Sequence, residues 1–171
     1  ELVDNQQIYE IPAGREINEL LWFARSELDA AYFDPFMGGF GGMGGIGTSI
    51  CQKLHQDGCL VIAGCGPNSP RKDRWLSEQK ALGYDFHASE GNVGDWTSTV
   101  AAFNKVRAEI GTVDILVNNA GTNIPEPFEK IKQESMNYLV DLNLKAAFNV
   151  AQLVVKKMLK NKKRGGSIIN M

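Results

Sequence analysis

Phe40-Gly41-Gly42-Met43-Gly44-Gly45-Ile46-Gly47 is the stretch on which the fold turns. Five of these eight residues are glycine, and their missing side chains let backbone N–H groups approach a pyrophosphate at the positive end of a helix. Gly42, Gly44 and Gly47 satisfy G-x-G-x-x-G, although that spacing alone does not fix which variant of the nucleotide loop is present, and a flexible glycine linker would read the same. The residues after the loop favour the nucleotide reading. Ile46, Ile50 and Leu54 recur four apart, which predicts one buried helical face, and Gly58 stands where a helix ordinarily ends.

Working outward, short apolar runs alternate with helical periods, the pattern of βαβ units on a parallel sheet. Strands are expected over residues 59–63, 84–88, 113–117 and 167–170. Val100, Phe103, Val106 and Ile110 place a helix before Gly111, and a longer one is expected over residues 135–160, with Leu139, Leu142, Ala146, Val150, Leu153 and Val154 facing the sheet. Right-handed crossovers then give a Rossmann-like, doubly wound α/β sheet with its ligand beyond the C-terminal strand ends. The start fits less well. Residues 17–33 have the spacing of an amphipathic helix, and the segment expected to form the central first strand, residues 32–39, contains Pro35, Gly38 and Gly39. Proline removes a ladder donor and glycine packs nothing, so residues 1–37 are read as an extension and 38–171 as the nucleotide-binding domain.

Composition narrows the class. A chain of 171 residues with 43% hydrophobic content can bury one core. No apolar run is long enough to span a bilayer and the acidic start is unlike a secretory signal, so a cytoplasmic protein without a membrane partner is expected. A net charge of −2 offers no basic field for nucleic acid, and the cluster Lys156, Lys157, Lys160, Lys162, Lys163 and Arg164 reads as a solvated helix end. Three cysteines without C-x-x-C spacing and two separate histidines suggest neither a disulfide framework nor a metal site.

Two motifs together resemble the short-chain dehydrogenases/reductases. Gly41, Gly45 and Gly47 match the fixed glycines of that family's loop, with Phe40 where the family has threonine, and Asn118-Asn119-Ala120-Gly121 matches its second hallmark. Residues 63–71 and 89–93 further resemble the acetoacetyl-CoA reductases of polyhydroxyalkanoate synthesis. The resemblance implies a pyrophosphate cradle at Gly41, Met43, Gly44, Gly45, Ile46 and Gly47. It implies a 2′-phosphate site at Gly66 and Arg71, adenine contacts at Gly91, Asn92 and Val93, and a nicotinamide side at Asn119, Ala120 and Gly121. Asn143 matches the asparagine of the family's catalytic tetrad.

The cofactor choice also follows from charge. An NAD enzyme places a carboxylate at the end of the second strand for the ribose hydroxyls, whereas Gly64-Cys65-Gly66 stands here and Arg71 comes after it. NADP(H) is therefore expected, with Arg71 pairing to the 2′-phosphate. The implied activity is NADPH-dependent reduction of a 3-oxoacyl-CoA such as acetoacetyl-CoA, and full-length relatives are expected to be homotetramers. After Gly121 the chain reads Thr122-Asn123-Ile124-Pro125, a departure from those reductases on the substrate side. No Tyr-x-x-x-Lys occurs, the family's catalytic serine is not reached, and the first residue is Glu1. The expectation is a processed or incomplete product; the alternatives are a non-catalytic nucleotide-binding module and an inactive fragment.

Overall fold

The computed structural model describes residues 30–33, 42–160 and 166–171. Among the described residues five parallel strands form one sheet in the order β3-β2-β1-β4-β5: β1 (Ala30–Phe33), β2 (Leu60–Cys65), β3 (His87–Glu90), β4 (Ile115–Asn118) and β5 (Ser167–Asn170). Because β1 lies between β2 and β4, the chain winds outward in both directions from the centre. In such a sheet the crevice for a ligand opens where the winding reverses, beyond the C-terminal ends of β1 and β4.

Helices cover both faces. α1 (Gly45–Gln56) and α2 (Lys72–Ala81) follow β1 and β2, α3 (Trp96–Glu109) follows β3, and α4 (Gln133–Val140) runs through a π turn (Asp141–Ala146) into α5 (Ala147–Met158) before β5. Side chains alternate across β2 and β4, so each of these strands feeds two cores. Val61, Ala63, Cys65, Ile115 and Val117 pack with Cys51 and Leu54 of α1 and Trp75 of α2. Ile62 and Leu116 point the other way, onto Phe103 and Val106 of α3 and Ala146, Val150 and Val154 of the long helix. A strand buried on both faces reads as the continuous apolar run seen at Val61-Ile62-Ala63.

The first core has an aromatic corner. The Trp75 ring stacks on Phe86 at 5.4 Å between centroids, and Phe86 on Tyr84 at 5.7 Å. His55 meets both Tyr84 and Phe86 edge-on. Trp75 Nε1 donates to Thr48 Oγ1 at 2.9 Å, which ties α2 to α1 and satisfies the indole's one polar atom.

Several expectations shift. The central strand falls at Ala30–Phe33, ahead of the proline and glycines that argue against residues 32–39 and inside both the segment read as an extension and the tail of the expected helix. The sheet thus begins before the expected boundary at residue 38; the rest of residues 1–37 lies outside the described residues. Ile46, expected on the buried face of the first helix, is 66% exposed, while Gly47, Cys51 and Leu54 are buried. It occupies the first turn of α1, and the buried face there passes through the smaller Gly47. Gly58, at φ +87°, ends the turn after α1 as expected.

Strand β3 begins at His87, because Tyr84 and Phe86 are spent on the aromatic corner. The helix expected over residues 135–160 is present as α4 and α5, but the π turn interrupts it. Leu142, Ala146, Val150, Leu153 and Val154 face inward as expected, and Leu139 is half-buried.

Leu116, fully buried between β1 and β5, reports on the centre of the sheet. Leu116→Ala is expected to cost about 2–5 kcal/mol in urea unfolding. A loss below about 1 kcal/mol would contradict this placement.

Candidate nucleotide site

The glycine loop lies directly on β2. A Cβ at Gly42 would sit 2.8 Å from the Gly64 backbone nitrogen and 3.1 Å from Ala63 Cα, a separation that no side chain tolerates. Close approach, rather than an unusual φ, is what requires glycine here. Met43 is buried in the first core, and Cys51 Sγ reaches back to Gly42 O at 3.5 Å. Gly44 is the extended N-cap residue of α1, its carbonyl accepting the first helical bond from Thr48 N at 2.7 Å. Its N-cap residue, a glycine, has no side chain to cap this end. The first-turn amides, including those of Gly45, exposed Ile46 and Gly47, therefore keep the donor character that suits an anion. Gly41 lies outside the described residues.

At the next strand end, Gly66 is buried and the loop to α2 turns through Asn68, at φ +53°, a conformation asparagine tolerates. Arg71 is exposed at the N-cap of α2. Its neighbour Lys72 reaches across to β3, donating from Nζ to Glu90 Oε1 at 2.5 Å, with Asp73 Oδ1 at 3.7 Å. The Glu90 hydrogen bond and charge hold the Lys72 ammonium above its ordinary pKa.

The β3 end is tightly bound. Gly91 N donates to Cys65 O at 3.0 Å. Asn92 N donates to Ser98 Oγ at 2.8 Å, while Asn92 Oδ1 accepts from Gly94 N at 3.0 Å in an Asx turn. Asp95 caps α3 by accepting from Ser98 N at 2.6 Å. The Val93 side chain packs into the second core, so only its backbone is left for a ligand.

At the β4 end, Asn118 is buried and its Nδ2 donates to Ala147 O at 3.2 Å and to Asn170 Oδ1 at 2.8 Å. One amide thus joins β4, β5 and the end of the π turn. Asn119, Ala120 and Gly121 come next, half-exposed. Asn143, inside the π turn, makes a matched pair of bonds to one backbone unit. Its Oδ1 accepts from Thr122 N and its Nδ2 donates to Thr122 O, both at 2.9 Å. The same Oδ1 lies 3.4 Å from where a Cβ on Gly121 would be, so the glycine lets this asparagine close on the strand end. π turns recur at functional sites because they reposition one side chain against the helical frame.

The cysteines are buried thiols. Burial, with a smaller contribution from the Glu90 charge, pushes the Cys65 thiol up to about 11, and burial drives Cys51 higher still. Both are neutral near pH 7, and a neutral thiol is a poor nucleophile. Among the described residues no group of three or more His, Cys, Asp or Glu side chains could hold a metal ion, and no helix is long and apolar enough to cross a membrane.

The sequence pattern of the short chain dehydrogenases matches residues 40–171. The chain belongs to this family. An acetoacetyl-CoA reductase of Cupriavidus necator is 54% identical over 132 residues, covering 77% of this chain and 52% of the relative. Nodulation protein G of Azospirillum brasilense is 46% identical over the same length and shares. Among solved structures, a gluconate 5-dehydrogenase of Burkholderia cenocepacia J2315 in complex with NADP and tartrate superposes with a TM-score of 0.68 at 26% identity, covering 87% of this chain and 56% of that one. The chain spans about half the length of the relatives it matches.

Within this short-chain dehydrogenase sheet, the described residues among those singled out from the sequence gather at the C-terminal ends of β2, β3 and β4. Three further residues join them. Asn118 is legible as the first residue of Asn-Asn-Ala-Gly, whereas nothing in the spacing of Lys72 and Glu90 signals that they meet.

Asn143→Ala removes both bonds to Thr122. The Thr122 amide should then exchange about tenfold faster or more, since one such bond is worth about 0.5–1.5 kcal/mol; unchanged protection would mean that other contacts hold this turn. Cys65 gives a pH dependence. Its folded pKa lies above the unfolded value of about 8.5, so its stabilising contribution is complete below about pH 8.5 and is lost as pH rises through about 11. Chemical unfolding across this window should show stability falling, and falling less steeply in Cys65→Ala.

Proposed function

We propose that this chain is the NADP(H)-binding half of a reductase that converts a 3-oxoacyl-CoA such as acetoacetyl-CoA to the 3-hydroxyacyl-CoA. The observation that carries the cofactor choice is the end of β2. There Gly64, Cys65 and Gly66 offer no carboxylate to the adenosine ribose, and Arg71 stands at the start of α2. A carboxylate at that position would repel a 2′-phosphate, and a guanidinium can pair with one through two parallel hydrogen bonds.

Each group of residues has a distinct task in this reading. Gly41, Met43, Gly44, Gly45, Ile46 and Gly47 form the pyrophosphate cradle, with the uncapped amides of α1 as donors. Gly66 and Arg71 hold the 2′-phosphate, and Gly91, Asn92 and the Val93 backbone border the adenine. Asn119, Ala120 and Gly121 leave room for the nicotinamide riboside. NADPH supplies a hydride when bound; the residues of this chain position it and keep its charged groups paired. Asn143, by locking the Thr122 backbone, fixes the wall on the substrate side.

The acyl-CoA assignment rests on the Cupriavidus necator relative, an acetoacetyl-CoA reductase. It concerns the whole protein, and loss of NADPH absorbance on adding acetoacetyl-CoA tests it. For the cofactor, Arg71→Ala should weaken NADPH binding by about tenfold or more, the worth of a charge-assisted pair of about 1.5–3 kcal/mol. NADH binding should change by less than about twofold in the same variant. Equal losses for the two cofactors would remove Arg71 from the 2′-phosphate site.

A further inference from the structure

Beside the exposed Asp73, which stands 3.7 Å from Lys72, the cofactor rim carries a carboxylate on β3 that the absence of acid on β2 does not explain away. Glu90 is the last residue of β3 and lies in register with Cys65, the last residue of β2. Gly91 N, immediately after it, bonds to Cys65 O at 3.0 Å, so the two strand ends are held side by side. Glu90 is therefore fixed at the edge of the loop 66–71 that would receive the 2′-phosphate, near enough for its charge to raise the Cys65 thiol.

Left alone, such a carboxylate would oppose a phosphate across this rim. It is not left alone. Lys72 extends from the first turn of α2 and donates to Glu90 Oε1 at 2.5 Å. Both side chains are about one-third exposed or less, 29% for Lys72 and 35% for Glu90. In this partly screened position the ion pair adds little to stability, and its reason must be sought in the field it creates.

The geometry points to Lys72 as a specificity-determining residue that masks Glu90, so that the rim between β2 and β3 accepts a 2′-phosphorylated nucleotide. This rests on the NADP(H) reading above and deepens it. Lys72 acts through Glu90 and is a positioning residue, distinct from Arg71, which would meet the phosphate itself. Removing Lys72 exposes the Glu90 charge and selects against the extra phosphate of NADPH. NADH, lacking that phosphate, is left nearly indifferent. Removing both charges together relieves the repulsion that the single change creates.

The experiment measures dissociation constants of NADPH and NADH for the wild-type chain, Lys72→Met, Glu90→Gln and the double variant, with circular dichroism and thermal unfolding to compare their folds. Lys72→Met is expected to weaken NADPH binding about tenfold and NADH binding less than about twofold. The double variant should recover NADPH affinity to within about threefold of wild type. A double variant as weak as Lys72→Met overturns the masking role and makes Lys72 a direct phosphate ligand. Equal losses of NADPH and NADH in Lys72→Met overturn it too, as does a single variant that binds both cofactors normally. Wild-type preference for NADH overturns the cofactor reading and the mask with it, whereas wild-type preference for NADPH with no rescue overturns the mask alone. If Lys72→Met unfolds, Lys72→Gln carries the same comparison, and failure of its Glu90→Gln partner to rescue is equally decisive.

Discussion

The contact between Gly42 and the backbone of Ala63 and Gly64 governs the geometry of the site. With a Cβ on Gly42 only 2.8 Å from the Gly64 nitrogen, any side chain would lift the loop off β2. The start of α1 would move with it. Because the loop lies flat, α1 begins at the C-terminal end of the sheet with its first amides uncapped, and Cys51, Leu54 and Gly47 can close the first core beneath it. Fold and site therefore share one steric requirement. Packing the helix against the sheet and presenting its positive end to an anion are consequences of the same missing side chain.

The site is otherwise built by ties between strand ends, each made by a short polar side chain or a backbone group. Gly91 joins β3 to β2, Asn92 and Asp95 fold the next turn into the cap of α3, and Asn118 joins β4 to Asn170 and Ala147. Asn143 then fastens the π turn to Thr122. Such ties pre-form the rim, and a pre-formed site lowers the ordering cost of any ligand it takes. The charges at the rim are arranged by the same logic. Arg71 is left exposed, while Lys72 and Glu90 are spent on one another.

Much of this can be read from the residues. The apolar runs at Val61-Ile62-Ala63 and Ile115-Leu116-Val117 signal strands buried on both faces, and the 142, 146, 150, 153, 154 spacing signals the inner face of the long helix. The central strand is harder. Ala30-Ala31-Tyr32-Phe33 is only four residues long, continues the helical spacing of Ala24 and Leu28, and precedes Pro35. Its identity comes from pairing with Leu60–Ile62 and Ile115–Val117 on either side, information that no local pattern contains. The π turn is invisible for a related reason, since Asn118 and Thr122, far from it in the chain, supply the partners of the Ala147 carbonyl at its end and of the Asn143 side chain within it. Lys72 and Glu90 belong to different elements and meet only because β2 and β3 run parallel and in register.

Binding of a nucleotide across the C-terminal ends of the parallel strands is the claim on which the rest depends. Amide chemical-shift mapping of the isotope-labelled chain during titration with NADPH tests it most directly. Shifts should concentrate at residues 44–47, 66–71, 91–93 and 119–121. Shifts gathered instead around Gly58 and Gly111, at the opposite edge of the sheet, or none at saturating NADPH, would contradict it.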